Sequence, residues 1–197
     1  MIAKKVLLAA LLWCVASLSF AATIGNDVRF ASGYTGSSSD AHYLSYATSE
    51  SRVAVVGENV TAVGFWFVGN FPSGEQVEVG VYRKDTLAEI GSATVSRVIG
   101  GGDERAIASV SWALTPGIEY IVAFRFINTV NTAREFVASG HAKLSAATGA
   151  TPLADPFVIS TSTGNRYGVF AITDAASGTV CNPISGRCGP AAAPITR

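Results

Sequence analysis

Histidine, cysteine and lysine are scarce in this chain of 197 residues, and each shortage closes off a class of protein. His42 and His141 are the only histidines and only three cysteines occur, none at metal-ligand spacing, which argues against a zinc centre. There is no basic excess. Fourteen Lys and Arg face fourteen Asp and Glu, so the chain lacks the charge that neutralises phosphates in a nucleic-acid binder or holds a protein on anionic lipid. Beyond the N-terminal segment no stretch has the spacing of an amphipathic helix, which argues against a helical bundle. No repeat of solenoid or propeller length is visible.

What is present begins with an export signal. Lys4 and Lys5 precede an apolar run from Val6 to Ala16, and Ser19-Phe20-Ala21 sets small residues at −3 and −1 of a cleavage site. The apolar run is shorter than the roughly 20 residues a membrane helix needs. Cleavage after Ala21 is expected to release Ala22–Arg197, with 12 basic residues against 14 acidic and a formal charge of −2. The product is expected to be secreted or periplasmic, with no membrane span. Trp13 precedes Cys14 where a lipoprotein signal wants a small residue, so Cys14 is not read as a lipidation site. Cys181 and Cys188 remain, an even pair in an oxidising compartment, and Pro183 and Gly186 between them favour a turn. They are expected to form a structural disulfide that contributes about 2.5 kcal/mol on the chain-entropy model. A redox pair would need CxxC-like spacing.

The mature region reads as strands. Val60–Val68 is apolar on both faces, with Phe65, Trp66 and Phe67 at its centre, and suits a central strand covered on both sides. Trp66 and Trp112 are read as core. Asn70–Gly74 is a turn by composition, after which Val77, Val79 and Val81 alternate with polar or small residues. Leu87–Ile99 continues extended into the loop Gly100-Gly101-Gly102-Asp103. Arg105–Leu114 alternates, Thr115-Pro116-Gly117 turns, and Ile118–Ile127 sets Tyr120, Val122, Phe124 and Phe126 on one face. Glu135–Ser139, Asp155–Ser160 and Arg166–Thr173 are further short strands. Ala142–Ala150 permits a helical turn or none. Gly189–Arg197 reads as a mobile tail. Short strands punctuated by turns every 8–12 residues or so define an all-β sandwich or barrel.

Within this stretch the order of features is specific: Val60-Thr61-Ala62-Val63-Gly64-Phe65-Trp66-Phe67, then Val79-Gly80-Val81-Tyr82-Arg83, Gly91–Val95, Val110-Ser111-Trp112 and Leu114-Thr115-Pro116-Gly117-Ile118-Glu119-Tyr120-Ile121-Val122. It resembles the exported bacterial domains called choice-of-anchor type R, over about a third of the chain. The resemblance implies a jelly-roll-like antiparallel β-sandwich, secreted or displayed on the surface, and carries no active site. Those domains commonly end in a sorting tail with a membrane helix. Here the sequence ends at Pro194-Ile195-Thr196-Arg197, so free secretion or periplasmic residence is expected.

Candidate chemistry is thin. Ser39, Asp40 and His42 lie close together in a Gly/Ser-rich segment, but no Gly-x-Ser-x-Gly elbow accompanies them. The acidic residues are scattered as solubility alone would scatter them, with no evident glycosidase pair. Asp103-Glu104 follows three glycines, yet the EF-hand and repeat-type calcium patterns are missing, as are the lysine and helix of a phosphate loop. The aromatics offer more. Tyr34, Tyr43 and Tyr46 are interleaved with Ser, Thr, Asp40 and His42, and a pyranose takes both an aromatic face and hydrogen bonds. Gly33–Tyr46 is therefore the preferred ligand-contact segment, and the competing reading buries Tyr43 and Tyr46 as caps of the sandwich.

Three segments are expected: a signal at 1–21, a sandwich at 22–178, and a disulfide-stapled loop and tail at 179–197. The function expected is a non-catalytic binding or surface module with no cofactor or metal. Its partner would be an extracellular glycan or a cell-surface protein. A structural protein that assembles through strand edges is the alternative. A small hydrolase ranks third.

Overall fold

The computed structural model describes residues 21–36, 44–48, 50–69, 73–128, 130–136, 142–146, 152–159, 161–174, 179–181 and 188–190. Residues 1–20 of the expected signal and most of the expected tail lie outside them. The described chain is all β. In order the strands are β1 Ala22–Gly25, β2 Ser32–Gly36, β3 Leu44–Thr48, β4 Arg52–Val53, β5 Asn59–Phe67 and β6 Gln76–Arg83. There follow β7 Glu89–Ser96, β8 Glu104–Ala113, β9 Glu119–Phe126, β10 Val130–Phe136 and β11 Ala142–Ala146. The last are β12 Thr161–Thr163, β13 Asn165–Tyr167, β14 Val169–Thr173, β15 Thr179–Cys181 and β16 Cys188–Pro190.

Two antiparallel sheets of seven strands carry the architecture. Sheet A contains the order β1-β14-β5-β8 and sheet B the order β3-β9-β6-β7. The chain passes from one sheet to the other so that its first strand, β1, pairs with β14, the last strand of the two sheets, in a jelly-roll-like arrangement. Strands β2, β10 and β13 extend sheet A, and β11 and β12 extend sheet B. The inner faces enclose Val60, Val63, Phe65 and Phe67 of β5, the valines 77, 79 and 81 of β6, and Tyr120, Val122, Phe124 and Phe126 of β9. That single-face set on β9 is the one its alternation predicts.

A β-bulge in β5 between Val60 and Ala62, opposite β14, corrects one expectation. Plain alternation would leave Trp66 on the same inner face as Val60. Against β14, β5 carries one extra residue between Val60 and Ala62, which reverses its parity, so Val63, Phe65 and Phe67 point inward while Ala62, Gly64 and Trp66 face out. Trp66 packs with Phe30 and Val68 in a small outer cluster. Trp112 does pack against the main core, its ring lying 2.5 Å from where a Cβ on Gly91 would stand.

Other departures are local. Ala142–Ala146 is a strand paired with β3, not a helical turn, because its cross-strand partners outweigh its helix-permitting composition. Asp155–Ile159 is an irregular segment that caps the outer face of sheet B, with Leu153 and Phe157 buried in a second cluster beside Tyr82. Arg166–Thr173 is two strands broken at Gly168, where a Cβ would stand 2.7 Å from the Val28 carbonyl.

One end of the sandwich is tied by a buried arginine. The Arg97 side chain is fully enclosed and donates to Glu75 Oε2 at 2.5 Å, to the carbonyls of Gly69 at 2.6 Å and Ile99 at 3.1 Å, and to that of Gly102. Glu104 Oε1 and Oε2 accept from the backbone N–H groups of Val98 and Ile99. The glycine loop is thus held from both sides.

Candidate functional site

The segment that sequence reading favoured divides in the structure. Tyr34 lies in β2, where its backbone pairs with Thr132 of β10. Asp40, His42 and Tyr43 lie outside the described residues, as does His141. Tyr46 is not a surface contact. Its ring is 6% exposed and sits in the main core, 5.3 Å from Phe124 and 4.9 Å from Tyr167 between ring centroids. The physical reason is parity. Tyr46 faces sheet A while Ser45 and Ala47 face away, so no ring face is open to a ligand. Cys181 and Cys188 are direct cross-strand partners in the β15–β16 pair.

The outward turn of Trp66 builds a different surface, on the outer face of sheet A. Phe170 of β14 lies over Gly64, where a Cβ would collide with the ring, so glycine is required for the ring to lie flat on the sheet. The Arg105 guanidinium covers that ring at 4.4 Å from its centroid. Asp27, on the segment after β1, ties the group together. It accepts from Trp66 Nε1 at 3.0 Å, from Arg105 Nε at 2.8 Å and from Arg105 Nη2 at 2.5 Å. The Asp27 hydrogen bonds raise the Arg105 pKa, so this cation is fixed at every working pH. Both partners reach solvent, with side-chain exposures of 35% for Arg105 and 22% for Asp27. Val28 and Ile107 expose apolar surface alongside. The face therefore offers an indole, a carboxylate and a guanidinium beside hydrocarbon. A glycine and an aromatic two residues apart on β5 (Gly64, Trp66) was the signal available in the sequence, and the bulge concealed its direction.

Many of the described carboxylates are engaged. Glu75 pairs with Arg97, Glu78 with Arg125, Glu58 with Arg52, and Glu50 with Arg166. Asp103 accepts from Gly69 N–H at 3.0 Å and from Arg29, which together hold its carboxyl below the usual range. The Asp103-Glu104 pair is thus turned to loop closure. Among the described residues no group of three or more His, Cys, Asp or Glu is arranged to hold a metal ion. Among the same residues no helix is long and apolar enough to cross a membrane.

No protein-family model matches the chain, and no curated protein matches it. Among solved structures it is similar to a clostridial cysteine protease, Cwp84, after propeptide cleavage. That match has 12% identity and a TM-score of 0.46, over 78% of this chain and 40% of that one. It is also similar to the cysteine protease and lectin-like domains of Cwp84, a surface layer associated protein of Clostridium difficile. There the identity is 13% and the TM-score 0.40, over 66% of this chain and 31% of that one. The chain spans less than half the length of either.

Proposed function

We propose that this is an exported, non-catalytic glycan-binding module whose contact surface is the outer face of sheet A around Trp66. One observation carries the reading: Asp27 joins the Trp66 indole to the Arg105 guanidinium, which lies over Phe170, with Val28 and Ile107 exposed alongside. A sugar ring presents C–H surface and hydroxyls side by side. The indole and Ile107 would take the first, and the carboxylate and guanidinium the second. The engagement of many of the described carboxylates by structural partners supports a binding role over hydrolysis. A jelly roll hosts many functions, so the side chains on this face and not the fold support glycan binding.

The test is a printed panel of oligosaccharides probed with Ala22–Arg197. Reproducible binding that falls roughly tenfold or more in Arg105→Ala, with the melting temperature little changed, is the expected result. A panel with no binding overturns the reading.

A second reading has its own observation. Among the described residues β8 pairs only with β5 and β7 only with β6, so both are sheet edges. Neither carries the lysine or proline that usually guards an edge. Edge-to-edge assembly of copies predicts a larger species that grows with concentration in size-exclusion chromatography.

A further inference from the structure

The outer face of sheet B carries a trough that the chain fills with its own residues. Cross-strand register sets three rows on this face. Ser45, Arg125 and Glu78 form the first, and Ala47, Ala123, Gly80 and Ser92 the second. Ile121, Tyr82 and Glu89 form the third. The middle row holds only small side chains across four strands, a span of about 14 Å at the usual strand spacing. Leu153 and Phe157 lie in it, 4% and 1% exposed, with the Phe157 ring edge-on to Tyr82 at 5.6 Å.

Three hydrogen bonds fasten this strap, residues 152–159. Leu153 N–H donates to Glu78 Oε2 at 3.1 Å, Glu89 N–H to Asp155 Oδ1 at 2.8 Å, and Phe157 N–H to the Leu87 carbonyl at 2.8 Å. Leu87 holds a left-handed backbone, φ 58°, which a leucine rarely adopts, and its carbonyl is the one that meets the strap.

The strap fits the trough incompletely. Tyr82 Oη and Ser45 Oγ are sealed from solvent and make no well-formed hydrogen bond among the described residues, the Glu89 carboxylate being close to the phenol but off the geometry of a full bond. Buried hydroxyls in folded proteins nearly always have one. The Phe157 ring beside Tyr82 offers its hydroxyl only hydrocarbon. The Tyr82 hydroxyl also stands among Glu89, Glu78 and Asp155, whose charges join its burial in holding the phenol protonated. A ligand hydroxyl placed there would accept from Tyr82 and donate to a carboxylate.

We infer that the trough is a second ligand site, for a hydroxyl-rich ring such as a sugar residue, and that residues 152–159 are its intramolecular competitor. The ligand class follows the reading given for the Trp66 face, but the site is independent of it. Binding requires the strap to leave, so the observed affinity scales with the fraction of molecules in which it has left. Sites on opposite outer faces would let one molecule bridge two glycan chains.

The test uses Ala22–Arg197 and the same oligosaccharide panel. Phe157→Ala loosens the strap by removing its anchor, and Asp155→Asn weakens a tether while leaving no cavity. Either is expected to raise panel binding about tenfold or more. Adding Tyr82→Phe is expected to abolish that gain, and Tyr82→Phe alone to leave the melting temperature unchanged or higher. The inference is overturned if Asp155→Asn and any folded Phe157→Ala protein bind no better than wild type, or if the gain survives Tyr82→Phe. It is equally overturned if Tyr82→Phe alone lowers the melting temperature by ~3 °C or more, since the hydroxyl would then hold a structural partner. A loosened strap variant that takes up a synthetic peptide of residues 152–159 and no sugar would assign the trough to peptides instead. Loss of basal binding in Arg105→Ala with the strap-dependent gain intact separates the two sites.

Discussion

Replacing Arg97 by methionine removes a cation whose side chain is fully enclosed and leaves its surroundings in place. The Glu75 carboxylate, 4% exposed, loses its counter-ion, while the carbonyls of Gly69, Ile99 and Gly102 lose a donor. Gly102 and Ile99 lie at the surface, where water can replace the guanidinium, so the dominant cost is the stranded carboxylate. Breaking a buried pair from one side costs about 3–5 kcal/mol. For a domain of this size each kcal/mol moves the melting temperature by about 2–4 °C, so a fall on the order of 10 °C is expected. Urea titration followed by tryptophan fluorescence measures it directly. Arg97→Met with Glu75→Met should recover most of the loss, because no charge is then stranded. Arg83→Met is the control. It breaks the exposed pair with Asp85 and should move the transition far less than Arg97→Met does. If Arg97→Met costs less than about 1 kcal/mol, or the double variant is no better than the single one, the buried pair is not the clasp of this end.

Two further outcomes follow from charge and register. Burial raises the Glu89 pKa above its ordinary 4.5, so the group favours the folded state only while protonated and that contribution is lost as pH rises. Glu89→Gln should therefore unfold at higher urea than wild type at pH 7, with the gap closing near pH 4. A constant gap at both pH values would refute it. The sign is opposite for Asp85, held at about 2 by Arg83, and for Asp103, held low by Arg29 and the Gly69 N–H, so their contributions are lost as pH falls below the ordinary 3.8. Cys181 and Cys188 are directly opposed across an antiparallel pair, where Cα separations of roughly 4.5–5.5 Å lie inside the range a disulfide spans. Intact-mass spectrometry of protein secreted under oxidising conditions should find two hydrogens fewer than the reduced chain. Two alkylatable thiols would refute the staple.

Much of the strand layout could be read locally. The alternation of β6 and β9 and the turn at Thr115-Pro116-Gly117 need only neighbouring residues, because side chains in a strand alternate and Gly or Pro end it. The β10 region was placed too late, at Glu135–Ser139, since Val130–Phe136 mixes apolar with polar residues and owes its strand to pairing with β2 and β13. The candidate site was legible only in part. Aromatics beside hydroxyls and carboxylates suggested Tyr34, Asp40, His42, Tyr43 and Tyr46, and of these Tyr46 went to the core.

By itself the amino-acid order determined the all-β class, the main strands and their polarity along the chain. Tertiary structure decided which face of an apolar strand looks inward. In β5 both faces are apolar, so composition cannot choose between them, and a bulge in β5 opposite β14 turned Trp66 outward. It also decided that Arg97 is buried, since Gly69 and Glu75 lie in the β5–β6 loop and only the fold brings that loop against the β7–β8 loop that carries Arg97 and Gly102. The strap over sheet B is of the same kind. Leu153 and Phe157 find their trough on strands that are distant in sequence, and only the register of β3, β9, β6 and β7 lines up the small residues that receive them.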